Sequence, residues 1–132
     1  TELIHHYAKA SQRPQPRIGL LGLSFKAHTD DTRDSPAVEV ARRLSRDFED
    51  ILAYDPAAKI SDGLGIVRVR ETKDAIKGAD VVAILTEWPE FKLLSAQDFV
   101  GQMHGNTVVD TRYILDRQAF EGSEIQIISI GR

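Results

Sequence analysis

Two cations, Lys26 and Arg33, stand in a polar loop early in the chain, and a third, Arg112, stands far downstream. A lysine offers compact charge with three donors; an arginine offers a planar fork that matches phosphate or carboxylate. Lys26 follows the apolar, glycine-bearing run Ile18-Gly19-Leu20-Leu21-Gly22-Leu23, and Arg112 follows Val108-Val109. In an open α/β sheet, ligands bind just beyond the carboxyl ends of the strands. Cations placed there suit a phosphate-bearing ligand. Asp55, Glu87 and Trp88 also follow short apolar runs, and in a parallel sheet such positions share one edge.

Each of these residues has a plainer reading. Lys26 could be an exposed loop lysine, and Arg33 could pair with Asp30, Asp31 or Asp34. Asp55 stands where a dinucleotide-binding domain holds a ribose, but Asp55-Pro56 also reads as a turn that stops a strand. Trp88 could stack on a base or pack the domain interface, and packing is the commoner fate of a lone tryptophan. Asp110 could orient Arg112 or cap its turn. The cluster Arg42, Arg43 and Arg46 reads as the solvated face of a helix. His5 and His6 are adjacent, so on a helix they point about 100° apart and do not share an ion. No metal site and no catalytic residue is expected from this chain.

The elements that must position these groups alternate. Strands are expected over 17–23, 51–54, 66–69, 81–85, 107–109 and 125–129. Ser35-Pro36 opens a helix to about Phe48, with Ser35 as N-cap and Val38 where a full capping box would need an acid. Further helices are expected over 71–77, ending at Gly78, and over part of 90–103. Val81 to Leu85 is apolar throughout, as in a strand buried on both faces. The pattern predicts a Rossmann-like three-layer α/β sandwich, a mostly parallel sheet with helices on both faces. Residues 1–15 read as the end of a preceding helix plus a proline-bearing linker, and 16–132 as one domain.

At 132 residues the chain is long enough for one buried core. A net charge of −3 does not favour nucleic acid or an anionic membrane. No apolar run approaches membrane-span length. Cysteine is absent, which excludes disulfides and thiolate metal sites.

The segment Gly22-Leu23-Ser24-Phe25-Lys26, with Thr29-Asp30-Asp31, Arg33 and Ser35-Pro36, resembles the start of the C-terminal domain of the UDP-glucose/GDP-mannose dehydrogenase family. Tyr54-Asp55-Pro56, Ala79-Asp80 through Thr86-Glu87-Trp88, Val109-Asp110-Thr111-Arg112 and the terminal Ile130-Gly131-Arg132 follow in the same order. The resemblance implies that Phe25, Lys26 and Arg112 contact a nucleotide sugar, UDP-glucose or a relative of it. It implies that Arg33 reaches an NAD held mainly by another domain. It also implies a cytoplasmic NAD-dependent enzyme that oxidises a nucleotide-linked hexose at C6 from alcohol to acid, dimeric through a region absent here. The family's cysteine nucleophile and G-x-G-x-x-G fingerprint are missing from these residues, so this chain alone is expected to be inactive. Thr86-Glu87-Trp88 favours the UDP-glucose branch over enzymes acting on GDP-mannose or a UDP-N-acetylhexosamine. A freestanding nucleotide-binding or interaction module is the distant rival. Ser24, Asp34 and Tyr113 stand where the family commonly has Ala, Glu and Asn.

Overall fold

Residues that are apolar on both sides of a strand can be buried only between two helical layers. Val81–Ile84 and Thr107–Asp110 are buried at every position. They are adjacent interior strands of a six-stranded sheet in the computed structural model, which describes residues 2–24, 35–57 and 65–129. The strands are β1 (Arg17–Leu21), β2 (Asp50–Tyr54), β3 (Val67–Arg68), β4 (Val81–Ile84), β5 (Thr107–Asp110) and β6 (Gln126–Ser129). Their order is β3-β2-β1-β4-β5-β6, and every neighbouring pair is parallel.

The helices are α1 (Glu2–Ala10), α2 (Pro36–Ser45), α3 (Thr72–Ile76), α4 (Pro89–Lys92) and α5 (Ala96–Phe99), with a 3-10 turn at Arg117–Phe120. On one face of the sheet, Ile4 and Ala8 of α1 and Ala37, Ala41 and Leu44 of α2 pack on Leu20 and Val81. On the other, Ile76, Phe91, Phe99 and Phe120 pack on Val82 and Ile84. Each fully buried side chain of this size contributes about 1.5–3 kcal/mol. The expected sandwich is therefore present.

Element lengths differ from expectation for local reasons. α2 stops at Ser45, because Arg46 and Asp47 turn back onto the carbonyls of Arg43 and Leu44 through tight bonds of 3.3 and 3.0 Å. Phe48 is still buried, just past that turn. The 90–103 stretch divides into α4 and α5, since the Ser95 N–H donates to the Asp98 carboxylate at 2.7 Å and starts a new helix there.

Ser35 caps α2 as the sequence suggests. Its hydroxyl accepts from Val38 N–H at 3.4 Å and donates to the Leu23 carbonyl at 2.9 Å. The exit of β1 and the entrance of α2 are thus tied together. At the opposite edge of the sheet, the buried Asp80 carboxylate accepts from the Arg17 N–H at 2.8 Å. It also meets Arg13 at 3.1 Å and His104 at 2.9 Å. This fixes the segment entering β1 against those entering β4 and β5.

Gly19 lets α3 lie directly on β1. A Cβ there would sit 2.1 Å from the Ala75 carbonyl oxygen, a backbone atom with no rotamer to change. Gly19→Ala is expected to cost about 3 kcal/mol, the upper end for overpacking, read as a lower urea midpoint. A variant as stable as the parent would show that α3 can shift without loss.

Candidate functional site at the carboxyl edge of the sheet

Parallel register brings the strand ends level. Leu21 pairs with Tyr54 on one side and Ile84 on the other, Ile84 with Asp110, and Asp110 with Ser129. The chain winds outward from β1 to β3 and then crosses back to β4. The reversal falls between β1 and β4, where such sheets open a crevice. Gly22-Leu23-Ser24 leaves β1 on one side of it, and Thr86-Glu87-Trp88 leaves β4 on the other.

Gly22 makes their close approach possible. Its φ is +101°, and a Cβ would lie 1.9 Å from Thr86 Oγ1. Thr86 itself is buried, and its hydroxyl is the one buried side-chain polar atom without a hydrogen-bond partner among the described residues.

Arg112 lies just beyond β5. Its guanidinium meets Glu87 Oε1 at 3.3 Å, and both side chains are nearly half exposed. Asp110 caps the turn that presents it, accepting from Arg112 N–H at 3.1 Å and from Leu115 N–H at 3.0 Å. Of the two roles open for Asp110, the structure thus shows the cap. The cation is presented by backbone geometry and restrained by one exposed ion pair, which leaves it available to an anion. Phe25, Lys26 and Arg33 lie outside the described residues; Arg112 is the predicted contact that the structure places.

Asp55 is 4% exposed and faces inward. Its carboxylate accepts from Leu23 N–H at 2.7 Å, Ser24 N–H at 2.9 Å, Ser24 Oγ at 3.0 Å and Ala57 N–H at 2.8 Å. The Trp88 indole N–H adds a bond of 3.3 Å. A carboxylate has about four lone-pair sites, so these donors occupy what a ribose diol would need. Together with the missing glycine fingerprint, this shows that the described residues do not fit a dinucleotide at β2. Trp88, at the N-cap of α4, is half-buried and packs against this domain's own core rather than at an interface with another domain.

Sequence reasoning missed the surface beside β2. Grooves of about 480 and 420 Å³ meet there, sharing Tyr54 and Arg70. Burial, and then its hydrogen bond to Glu90 at 3.1 Å, push the Tyr54 phenol up to about 12. Elsewhere the plainer readings hold. Arg43 and Arg42 both pair with Glu39 on the exposed face of α2 and hold its carboxyl below the usual value. His5 pairs with Asp47 and packs edge-on against Phe48. No group of three or more potential metal ligands occurs among the described residues. Nor is any helix of the described residues long and apolar enough to cross a membrane.

Comparison with known proteins shows the family. Residues 19–117 match the model of the UDP-glucose/GDP-mannose dehydrogenase family, UDP binding domain. A UDP-glucose 6-dehydrogenase of Rhizobium meliloti is 36% identical over 121 residues, which is 88% of this chain and 27% of that protein. A putative UDP-glucose 6-dehydrogenase of Bacillus subtilis is 33% identical over 118 residues, 88% of this chain and 28% of that protein. A UDP-D-ManNAc dehydrogenase of Pyrococcus horikoshii superposes with a TM-score of 0.80 at 26% identity, over 99% of this chain and 29% of that one. A UDP-glucose dehydrogenase of Pyrobaculum islandicum superposes with a TM-score of 0.71 at 28% identity, over 97% and 28%. The chain thus spans less than a third of the length of these relatives.

Two measurements probe the local chemistry. Tyr113 has φ of 57°, a left-handed conformation that asparagine tolerates and a bulky residue does not. Tyr113→Asn is expected to stabilise the chain by about 1 kcal/mol, read by thermal melting. A loss of stability would mean that the Tyr113 ring outweighs its backbone strain. Tyr54, with a phenol pKa raised above the free value of about 10, favours the neutral form on folding. Its contribution is complete below that pH and is lost as pH rises toward 12. Ultraviolet titration is expected to show one tyrosine ionising near 12, absent in Tyr54→Phe. An unchanged titration in that variant would show that another phenol is responsible.

Proposed function

The chain belongs to the UDP-glucose/GDP-mannose dehydrogenase family, and from that premise we propose that it is the nucleotide-sugar-binding domain of a UDP-glucose 6-dehydrogenase. The observation that carries this reading is the Arg112 guanidinium at the level carboxyl edge, beside the crevice between β1 and β4. Phe25 and Lys26 complete the contact to UDP-glucose. They follow Ser24, which the structure holds at the mouth of that crevice.

The domain's work is positioning and charge neutralisation. A fixed cation at the diphosphate offsets charge and orients the sugar, so binding energy from the nucleotide is used to align the reacting carbon. The bond-making parts lie outside these 132 residues. They are the family's cysteine and its dinucleotide fingerprint, neither of which the sequence contains. NAD, the hydride acceptor of the parent reaction, is held by that other part, with Arg33 reaching toward it. Residues 16–132 form the nucleotide-sugar-binding domain, with residues 1–15 read as the end of a preceding helix plus linker whose helix packs on the domain's sheet through Ile4 and Ala8. The whole enzyme is a cytoplasmic dimer assembled through the missing region.

Trp88 is the chain's single tryptophan and stands on the crevice. Titration with UDP, followed by Trp88 emission and by calorimetry, is expected to give saturable one-site binding, stronger than for GDP. Arg112→Ala removes a charge-assisted hydrogen bond worth about 1.5–3 kcal/mol and so weakens UDP binding about 10- to 150-fold. In the complete enzyme the same variant raises KM for the nucleotide sugar more than KM for NAD, and Arg33→Ala does the reverse. Equal losses in both substrates would sink these assignments, and tighter binding of GDP would move the reading to a GDP-linked sugar.

A further inference from the structure

Asp55 joins three separate parts of the carboxyl edge. Its carboxylate takes the consecutive N–H groups of Leu23 and Ser24 at the exit of β1, the Ala57 N–H in the turn after β2, and the Trp88 indole after β4. Leu23 and Ser24 directly precede Phe25 and Lys26 in sequence, and Trp88 directly follows Glu87, the ion-pair partner of Arg112. Arg112, the cation the structure places, therefore pairs with the direct neighbour of a group bonded to this one carboxylate. A buried carboxylate with its lone pairs filled is stiff, because releasing any donor leaves an unsatisfied polar group.

We infer that Asp55 is a positioning residue for nucleotide-sugar binding, holding the exit of β1 through Leu23 and Ser24 and acting through Trp88 and Glu87 on Arg112. The inference rests on the reading of this edge as the nucleotide-sugar site. It gives the strand-two acid a role distinct from ribose binding: the acid aligns the walls of the site and leaves ligand contact to other residues. The chemistry requires a group that only accepts. An asparagine of the same size would turn an NH2 toward the Leu23 and Ser24 amides or toward Ala57 and Trp88, and one side of the junction would open.

The fold supplies its own control. Asp80 is as buried and also meets several groups, Arg17 N–H, Arg13 and His104, but at the opposite edge of the sheet. Asp55→Asn and Asp80→Asn in this chain should both lower the melting temperature. Only Asp55→Asn is expected to weaken UDP binding by calorimetry, by about tenfold or more. Only it should shift the nitrogen-15 resonances of Glu87 and Arg112, which its side chain does not touch. Trp88→Phe, which removes the indole arm alone, is expected to shift Arg112 and weaken UDP binding by a smaller factor. It decides the matter if Asp55→Asn does not fold.

Affinity losses that track melting temperature in both aspartate variants would overturn the inference. So would unchanged Arg112 resonances in both Asp55→Asn and Trp88→Phe. If the parent chain binds no UDP, the nucleotide reading of this edge fails. The spectra then decide separately whether Asp55 couples its two walls.

Discussion

In-register parallel pairing is the constraint on which the rest of this structure depends. Helices cover both faces of the sheet, so neither face can hold a ligand without losing core. What remains accessible is the row of strand ends, and the register levels that row from Tyr54 to Ser129. Function is pushed onto the short segments that leave the strands. Their positions are then set by whatever satisfies the polar backbone groups freed when the ladder stops.

Both edges meet that requirement with an aspartate. At the amino edge, Asp80 gathers the segments entering β1, β4 and β5. At the carboxyl edge, Asp55 gathers those leaving β1, β2 and β4. A carboxylate suits both places because it offers several acceptor sites and no donor, while the groups that need partners there are N–H donors. The two edges differ in what lies beyond the bonded donors. Beyond Asp80 stand ordinary connections. Beyond Asp55 stand Glu87 with its ion-paired Arg112 and the sequence leading into Lys26.

Much of this was legible in the sequence, and the limits have physical causes. Val81–Ile84 could be recognised as a central strand because burial on both faces removes any polar alternation. Ser35-Pro36 marked the start of α2 because capping is a local matter between residues three apart. The end of α2 and the division of α4 from α5 depended on turn bonds and on Asp98, where several arrangements of similar energy compete. Arg112 could be placed at the carboxyl edge from topology alone. The duties of Asp55 could not, because its donors come from residues 31 to 33 positions away as well as from its own turn. Asp55-Pro56 read more readily as a turn that stops the strand than as a ribose site, and neither reading included the donors from β1 and β4 that tertiary contacts bring to Asp55.

The carboxyl edge also carries two departures from local rules, and a third, Gln12 with φ of 60°, lies in the segment leading into β1. Among the described residues Thr86 buries a hydroxyl without a partner, against Gly22, whose φ of +101° and missing side chain make that contact possible. Tyr113, next to Arg112, holds a left-handed backbone that favours asparagine. An unpaired buried hydroxyl costs about 1–3 kcal/mol, and a bulky left-handed residue about 1–2 kcal/mol. Costs of that size persist where surrounding structure over-determines them, and they gather at binding sites more than elsewhere. Here they flank the crevice between β1 and β4 and the exit of β5, the same edge that presents Arg112. Gln12 shows that strain alone does not mark an edge; topology and the placement of the half-exposed Arg112 are independent observations, and both point to this edge of the sheet.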